Sequence, residues 1–300
     1  MRYSIPPLRL ILNTNCNGQC NYCHNEGCGS MEEMENMPKD IIVECAHIAE
    51  RIMIPCLTLT GGEPTLRKDL ADIINEIRNI CVNTNINLTS NGYNLHNFCD
   101  LIISPIDSLN LSITSFDKSV ASHFQSVDPE QALQSFYKFP ARHKNINVVI
   151  VEENYLEISE IIDFCISKSI SLDLMFDIKE FKSENKKIQH HIFNKIESLG
   201  DLSIILGSTP IITYRINENS RINLKHPFLS SLTTRGICNN CSIKLNCFEK
   251  ICAVRVYPNS VVSPCLNQKI ISDKGDLNER ICYMYSQILS DFSLLSFMNR

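Results

Sequence analysis

The sequence predicts an α/β protein, a partial (β/α)6 barrel of the TIM type with a small C-terminal extension. Two patterns carry this. Strand-like apolar runs alternate with stretches whose apolar residues recur every 3.6 positions, six times over without reversal, through the first two-thirds of the 300 residues. Such repetition implies right-handed crossovers and a parallel sheet. The cysteine-rich loop and the glycine turns each follow a strand, so they meet at one rim, where folds of this kind place their chemistry.

In chain order, residues 8–14 form the first strand. Pro38 opens a helix with the stripe Ile41, Ile42, Cys45, Ile48, Ala49 and Ile52. Cys56–Thr60 is a strand closed by Gly61 and Gly62, followed by a helix marked by Leu70, Ile73, Ile74, Ile77 and Ile80. Asn85–Ser90 is the third strand and 109–114 the fourth. A single long helix is expected over 118–138, then a strand at 146–151 and its helix at 156–169. The sixth strand spans 172–176, and its helix at 186–199 stops at Gly200. After about residue 205 the pattern breaks into short β-like pieces and a cysteine-dense stretch. The expected division is therefore 1–205 for the barrel and 206–300 for the extension.

The bulk numbers exclude several classes. With 44% hydrophobic and 20% charged residues, the chain can bury a sizeable core. A net charge of −5 gives no basic footprint, so attraction to bulk nucleic acid or to a membrane surface is not indicated. No run of eighteen apolar residues and no apolar N-terminal signal region occurs, so a cytoplasmic protein is expected.

Fifteen cysteines are many for a reducing compartment, where a disulfide framework is not expected. Eight fall into two groups: Cys16, Cys20 and Cys23, then Cys238, Cys241, Cys247, Cys252 and Cys265. Such clustering favours metal. The rest, Cys28 among them, are expected as fillers of core or loop. The run C-x3-C-x2-C puts three thiolates around one point, which suits a [4Fe–4S] cluster with one iron lacking a protein ligand. An open position is what chemistry at a metal requires. The alternative is a zinc knuckle, for which His24 is adjacent but badly placed.

Cys16-x3-Cys20-x-Tyr22-Cys23 resembles the signature of the radical S-adenosylmethionine (SAM) superfamily. Thr60-Gly61-Gly62-Glu63-Pro64-Thr65-Leu66-Arg67 is similar to that superfamily's glycine motif. The resemblance implies SAM as cofactor, contacted by Tyr22, by the strand end Gly61, Gly62, Glu63 and Pro64, and by Ser112 of Asn110-Leu111-Ser112-Ile113-Thr114. Glycines at a strand end expose carbonyls that can accept from SAM's amino group. Within the superfamily, Leu8-Arg9-Leu10 and Thr89-Ser90-Asn91-Gly92 resemble the GTP 3′,8-cyclases of molybdenum-cofactor synthesis. That likeness assigns Arg9, Thr89 and Arg255 to substrate.

The C-terminal cysteines are similar to the auxiliary-cluster region of SPASM/Twitch proteins, with Cys238, Cys241 and Cys265 matching the cyclase ligands. Cys247 and Cys252 lie on an insertion, and either would close a second cluster. Three departures point away from GTP itself: Thr58 stands where the cyclases carry a basic residue, Ala253 replaces an arginine, and 296–300 lack their Gly-Gly tail. The expectation is a radical SAM enzyme with two [4Fe–4S] clusters acting on a small molecule, a nucleotide among the candidates. A reductant such as flavodoxin or ferredoxin would serve it. The alternatives are a peptide-modifying radical SAM enzyme and a non-catalytic zinc protein.

Overall fold

The computed structural model describes residues 5–23, 26, 36–125, 127–177, 186–205, 211–225, 247, 253–265, 272 and 275–298. Strands β1 (Leu8–Ile11), β2 (Cys56–Thr60), β3 (Asn85–Ser90), β4 (Ile106–Ser112), β5 (Ala141–Ile150) and β6 (Ser171–Phe176) lie side by side in chain order and pair in parallel. Between them run α1 (Lys39–Arg51), α2 (Leu70–Ile80), α3 (Lys118–Ala121), α4 (Pro129–Lys138) and α5 (Ile158–Lys168), and α6 (Lys186–Glu197) follows β6. This is the singly wound order that six strand–helix repeats predict.

Later strands extend the same sheet at both edges. After β7 (Leu202–Ile205) and β8 (Ile211–Arg215), β9 (Arg221–Lys225) joins β6 in parallel. At the other edge β10 (Val254–Val256) joins β1 in parallel and carries β11 (Val262–Ser263) as an antiparallel partner. The strands after residue 205 therefore share one eleven-stranded sheet with those before it. The last helix, α7 (Leu277–Met298), buries Leu277, Ile281, Met284, Tyr285 and Ile288, and the Tyr285 hydroxyl donates to the Pro6 carbonyl at 3.0 Å.

The single helix expected over 118–138 is two helices. Asp128 caps α4 by accepting from the Glu130 N–H at 3.0 Å, and Pro129 is its first residue. Proline at that position fits a helix start but pushes the residue before it out of helical geometry. Strand β5 begins at Ala141, earlier than expected, because its first residues are polar and give no apolar signal.

The two faces of the sheet differ in kind. Leu8, Leu10, Leu57, Leu59, Ile86, Leu88, Leu109, Leu111, Ile146, Val148, Leu172 and Leu174 point at the helices and form the main core. The alternate positions, from Arg9 and Thr58 through Asn110 and Asn147 to Asp173 and Asn223, point the other way and are mostly polar, with Ile11, Ile106, Val149 and Met175 as apolar exceptions. A barrel interior that is only scaffold is filled with branched aliphatics. At the N-terminal ends of the strands, Asp107 accepts from the Ile86 N–H at 2.8 Å and pairs with Arg78 at 2.6 Å and Arg142 at 2.8 Å. That clasp fixes the end opposite the cysteine loop.

Candidate active site

The cysteine loop follows β1 and is fastened to three neighbouring strand ends. At β2 the fastening is backbone on backbone. Gly62 N–H donates to the Asn13 carbonyl at 2.7 Å, and Glu63 N–H to the Asn15 carbonyl at 2.6 Å. A Cβ on Gly61 would stand 2.4 Å from Asn13 Oδ1, and one on Gly62 would stand 2.0 Å from the Asn15 carbonyl oxygen. Only glycine lets the two chains approach so closely. Arg67, nearly buried, reaches back to the carbonyls of Leu12 at 2.9 Å and Met37 at 2.6 Å.

At β3, Asn91 Nδ2 donates to Asn17 Oδ1 at 3.0 Å. At β4, the Tyr22 hydroxyl meets the fully buried Thr114 hydroxyl at 2.5 Å, and its ring lies 5.6 Å from that of Phe124. The Phe124 carbonyl accepts both the Gln19 N–H at 3.0 Å and the Cys20 thiol at 3.1 Å. Asn154 steadies this corner, donating to the Thr114 carbonyl at 2.7 Å and accepting from Val151 N–H at 2.9 Å.

Cys16 and Cys23 are exposed and Cys20 is half-buried. A Cβ built on Gly18 would lie 3.5 Å from Cys16 Sγ and 3.8 Å from Cys20 Sγ, so both thiols flank that glycine. Partial burial pushes the Cys20 pKa up to about 11, against a hydrogen bond with Tyr22, and Cys23 and Cys16 push it further the same way. Burial raises Cys16 too. Among the described residues no three His, Cys, Asp or Glu side chains converge to hold a single ion. In a cubane each thiolate takes a different iron, so its ligands stand apart.

The other predicted site residues distribute as follows. Pro64 opens a short turn at the end of β2. The Glu63 carboxylate is engaged away from the loop, accepting from Thr65 N–H at 2.9 Å, Thr65 Oγ1 at 2.6 Å, Ser90 Oγ at 2.7 Å and Asn91 N–H at 2.7 Å. Burial raises its pKa in spite of those four donors. Ser112 ends β4 beside Asn147, and its carbonyl accepts from Gln125 Nε2 at 2.9 Å. Thr89 lies on the inner face, with Asn110 Nδ2 3.4 Å from its hydroxyl. Arg9 and Arg255 are register neighbours on β1 and β10, and both bind the Glu26 carboxylate, at 2.6 Å and 2.9 Å. Cys265 follows β11, and Cys247 is half-buried. Cys238, Cys241 and Cys252 lie outside the described residues.

Sequence reasoning missed Thr114, Asn154 and Glu26. Thr114 sits inside the quoted 110–114 stretch, but a threonine at a strand end carries no signal by itself. Glu26 has none, because its role arises only when β10 is laid beside β1.

The probable GTP 3′,8-cyclase of Methanococcus aeolicus is 24% identical over 272 residues, covering 87% of this chain and 85% of its own. The GTP 3′,8-cyclase of Synechococcus elongatus is 31% identical over 179 residues, covering 55% of this chain and 53% of its own. Streptococcus suis SuiB, solved with S-adenosylmethionine, shares the fold with a TM-score of 0.64 at 15% identity; the match covers 92% of this chain and 64% of SuiB. The AdoMet-bound enzyme anSMEcpe shares it with a TM-score of 0.56 at 16% identity, over 87% of this chain and 74% of its own. The loop, the glycine strand end and Thr114 all fall within residues 10–165, just over half of the chain. The family model matching that span is the radical SAM superfamily, and to this superfamily the chain belongs.

Proposed function

We propose that this radical SAM enzyme takes hydrogen from a small molecule held on the polar face of its sheet, as a divergent branch of the GTP 3′,8-cyclase lineage. Cys16, Cys20 and Cys23 would hold a [4Fe–4S] cluster, leaving one coordination position without a protein ligand. When bound, the cluster and SAM would supply one-electron reductive cleavage of SAM and, through it, hydrogen abstraction from the substrate.

The single observation carrying this reading is the contact between the cysteine loop and Gly61–Gly62, closer than any side chain would permit. It supports the reading because the cysteine loop lies directly against the Gly61–Gly62 strand end. The residues fit both groups. The thiols of Cys16 and Cys20 face one glycine, and Asn13 Oδ1, packed against Gly61, is a buried acceptor with no partner among the described residues. Tyr22, locked on Thr114 and Phe124, walls the loop toward β4 and places an aromatic plane there. Cys238, Cys241 and Cys265, with Cys247 or Cys252, hold a second cluster in the extension 206–300. A flavodoxin or ferredoxin of the cytoplasm supplies the electron.

Anaerobic reconstitution tests this. Wild-type protein should carry about eight irons, and with dithionite it should release 5′-deoxyadenosine from SAM. Cys16→Ala, Cys20→Ala and Cys23→Ala should each abolish that release. Cys238→Ala with Cys241→Ala should halve the iron while deoxyadenosine persists. Release that survives Cys20→Ala, or zinc in place of iron, overturns the assignment.

A further inference from the structure

One transverse row of the inner face is built entirely of neutral polar groups around one carboxylate. Ser112 of β4 sits level with Asn147 of β5, Asn147 with Asp173 of β6, Asp173 with Asn223 of β9, and Asn223 with Thr213 of β8. Level residues in neighbouring strands present their side chains to the same face. The groups are wired together. Asn145 Nδ2 donates to Asp173 Oδ2 at 3.0 Å and to Asn147 Oδ1 at 2.7 Å, Asn223 Nδ2 donates to Asp173 Oδ1 at 2.6 Å, and Thr213 Oγ1 donates to Asn223 Oδ1 at 2.9 Å.

We propose that this row is the substrate-recognition wall, with Asp173 as anchor, and that it takes a ligand offering hydroxyl or amino donors and carrying no phosphate. The inference rests on the radical SAM reading and deepens it.

The chemistry runs as follows. Each Asp173 oxygen holds one amide donor, which leaves acceptor capacity on both. Carboxylate and amide oxygens together favour donor-rich ligands. Burial raises the Asp173 pKa, against the Asn223 and Asn145 amides and the charges of Arg221 and Lys225 on the same face of β9. Across the sheet, Arg9 and Arg255 are already paired to Glu26. A triphosphate would therefore have to compete with Asp173 for Arg221 and Lys225, and with Glu26 for Arg9. The row also begins at Ser112, the β4 end beside the cysteine loop, so a ligand bound along it reaches the place where the radical would form. A purely structural explanation is weak here, because a sheet face that only packs would carry aliphatic residues at these positions.

Guanosine and GTP, one nucleoside with and without phosphates, separate the possibilities. Binding of each to the reconstituted, SAM-loaded enzyme is measured by anaerobic calorimetry. Guanosine should bind at least as tightly as GTP. Asp173→Asn, which keeps the shape, and Asp173→Lys should shift the ratio of the two affinities toward GTP by about tenfold or more. Tighter binding of GTP by wild type, no saturable binding of guanosine, or an unchanged ratio in Asp173→Asn overturns the proposal. Deoxyadenosine release by wild type without any added substrate reports on the radical SAM reading separately. Its loss with guanosine binding intact removes that reading alone, and its persistence with no binding removes only the wall.

Discussion

Replacing Gly62 by alanine tests the contact on which the site is built. The added Cβ would lie 2.0 Å from the Asn15 oxygen, 2.3 Å from its carbonyl carbon and 2.9 Å from Cys16 N. All three are backbone atoms and cannot rotate away. Relief to a comfortable C···O approach of about 3.3 Å requires the two chains to part by roughly 1.3 Å. That parting stretches the 2.7 Å and 2.6 Å bonds that Gly62 and Glu63 donate across the junction. Two lost bonds at about 1 kcal/mol each, with overpacking of about 1–3 kcal/mol, give a loss of about 3–5 kcal/mol. Because the strain falls on Cys16 N, the loop moves with it. A displacement near 1 Å at a reacting centre costs on the order of a hundredfold in rate.

The assays are urea unfolding of the apoprotein and deoxyadenosine release by the reconstituted enzyme. Gly200→Ala is the control. Gly200 has a positive φ, of 113°, but a Cβ there would meet nothing within 4 Å. It should lose about 1–2 kcal/mol from backbone strain and keep wild-type release. If Gly62→Ala stays within twofold of wild type in release, or if Gly200→Ala matches its defect, the close-approach argument is wrong.

Tyr22→Phe strands the buried Thr114 hydroxyl and should cost about 1–2 kcal/mol in denaturant unfolding, while Tyr22→Phe with Thr114→Val should recover much of it. Asp107→Asn reads out the clasp at the opposite end. Burial would raise the Asp107 pKa, but the Ile86 N–H and Arg78 outweigh it and hold the carboxyl below its ordinary value. Its stabilisation is therefore complete above the unfolded pKa and fades as pH falls below about 4. With Arg142 open to solvent, the variant should be less stable by about 1–2 kcal/mol at pH 7, and the difference should shrink as the solution is acidified below about pH 4. Alkylation followed by mass spectrometry should label Cys16 and Cys23 of the apoprotein well before Cys165 and Cys81, whose thiols burial pushes up to about 12.

Much of this architecture was legible before the strands were laid side by side, and the failures are local. The first six strands announce themselves because one face of each is aliphatic and its neighbours are helices of period 3.6. Gly61–Gly62 reads as a strand end from composition, although its real task, admitting Asn13–Cys16, needs the third dimension. The break at Asp128–Pro129 was legible in the residue types, a capping aspartate followed by a proline at a helix start. The polar row was not legible at all. Asn147, Asp173, Asn223 and Thr213 are isolated letters in four separate strands, and only the register brings them level.

The inner face then resolves into two walls that differ in how they handle charge. At β1 and β10, two cations share one carboxylate: Arg255, with 1% of its side chain exposed, and Arg9, with 26%, both close on Glu26. Removing a partner from so buried a pair leaves an uncompensated ion, at a cost of about 3–5 kcal/mol. An incoming phosphate gains Arg9 and Arg255 only by turning Glu26 loose, so much of its attraction is offset. At β5, β6 and β9 the single carboxylate is tempered by two amides, with Arg221 and Lys225 nearby. Each wall sets one carboxylate among two cations, so neither is a bare cationic phosphate site. Selection between ligands on such a surface depends on hydrogen-bond geometry, where a site built for hydroxyl or amino donors rejects an analogue lacking them by leaving its own polar groups unpaired. The departures from the cyclase pattern at Thr58 and Ala253 fall on or beside the first wall, Thr58 level with Arg9 on β2 and Ala253 directly before β10. They leave it no cation beyond the two that Glu26 already holds among the described residues.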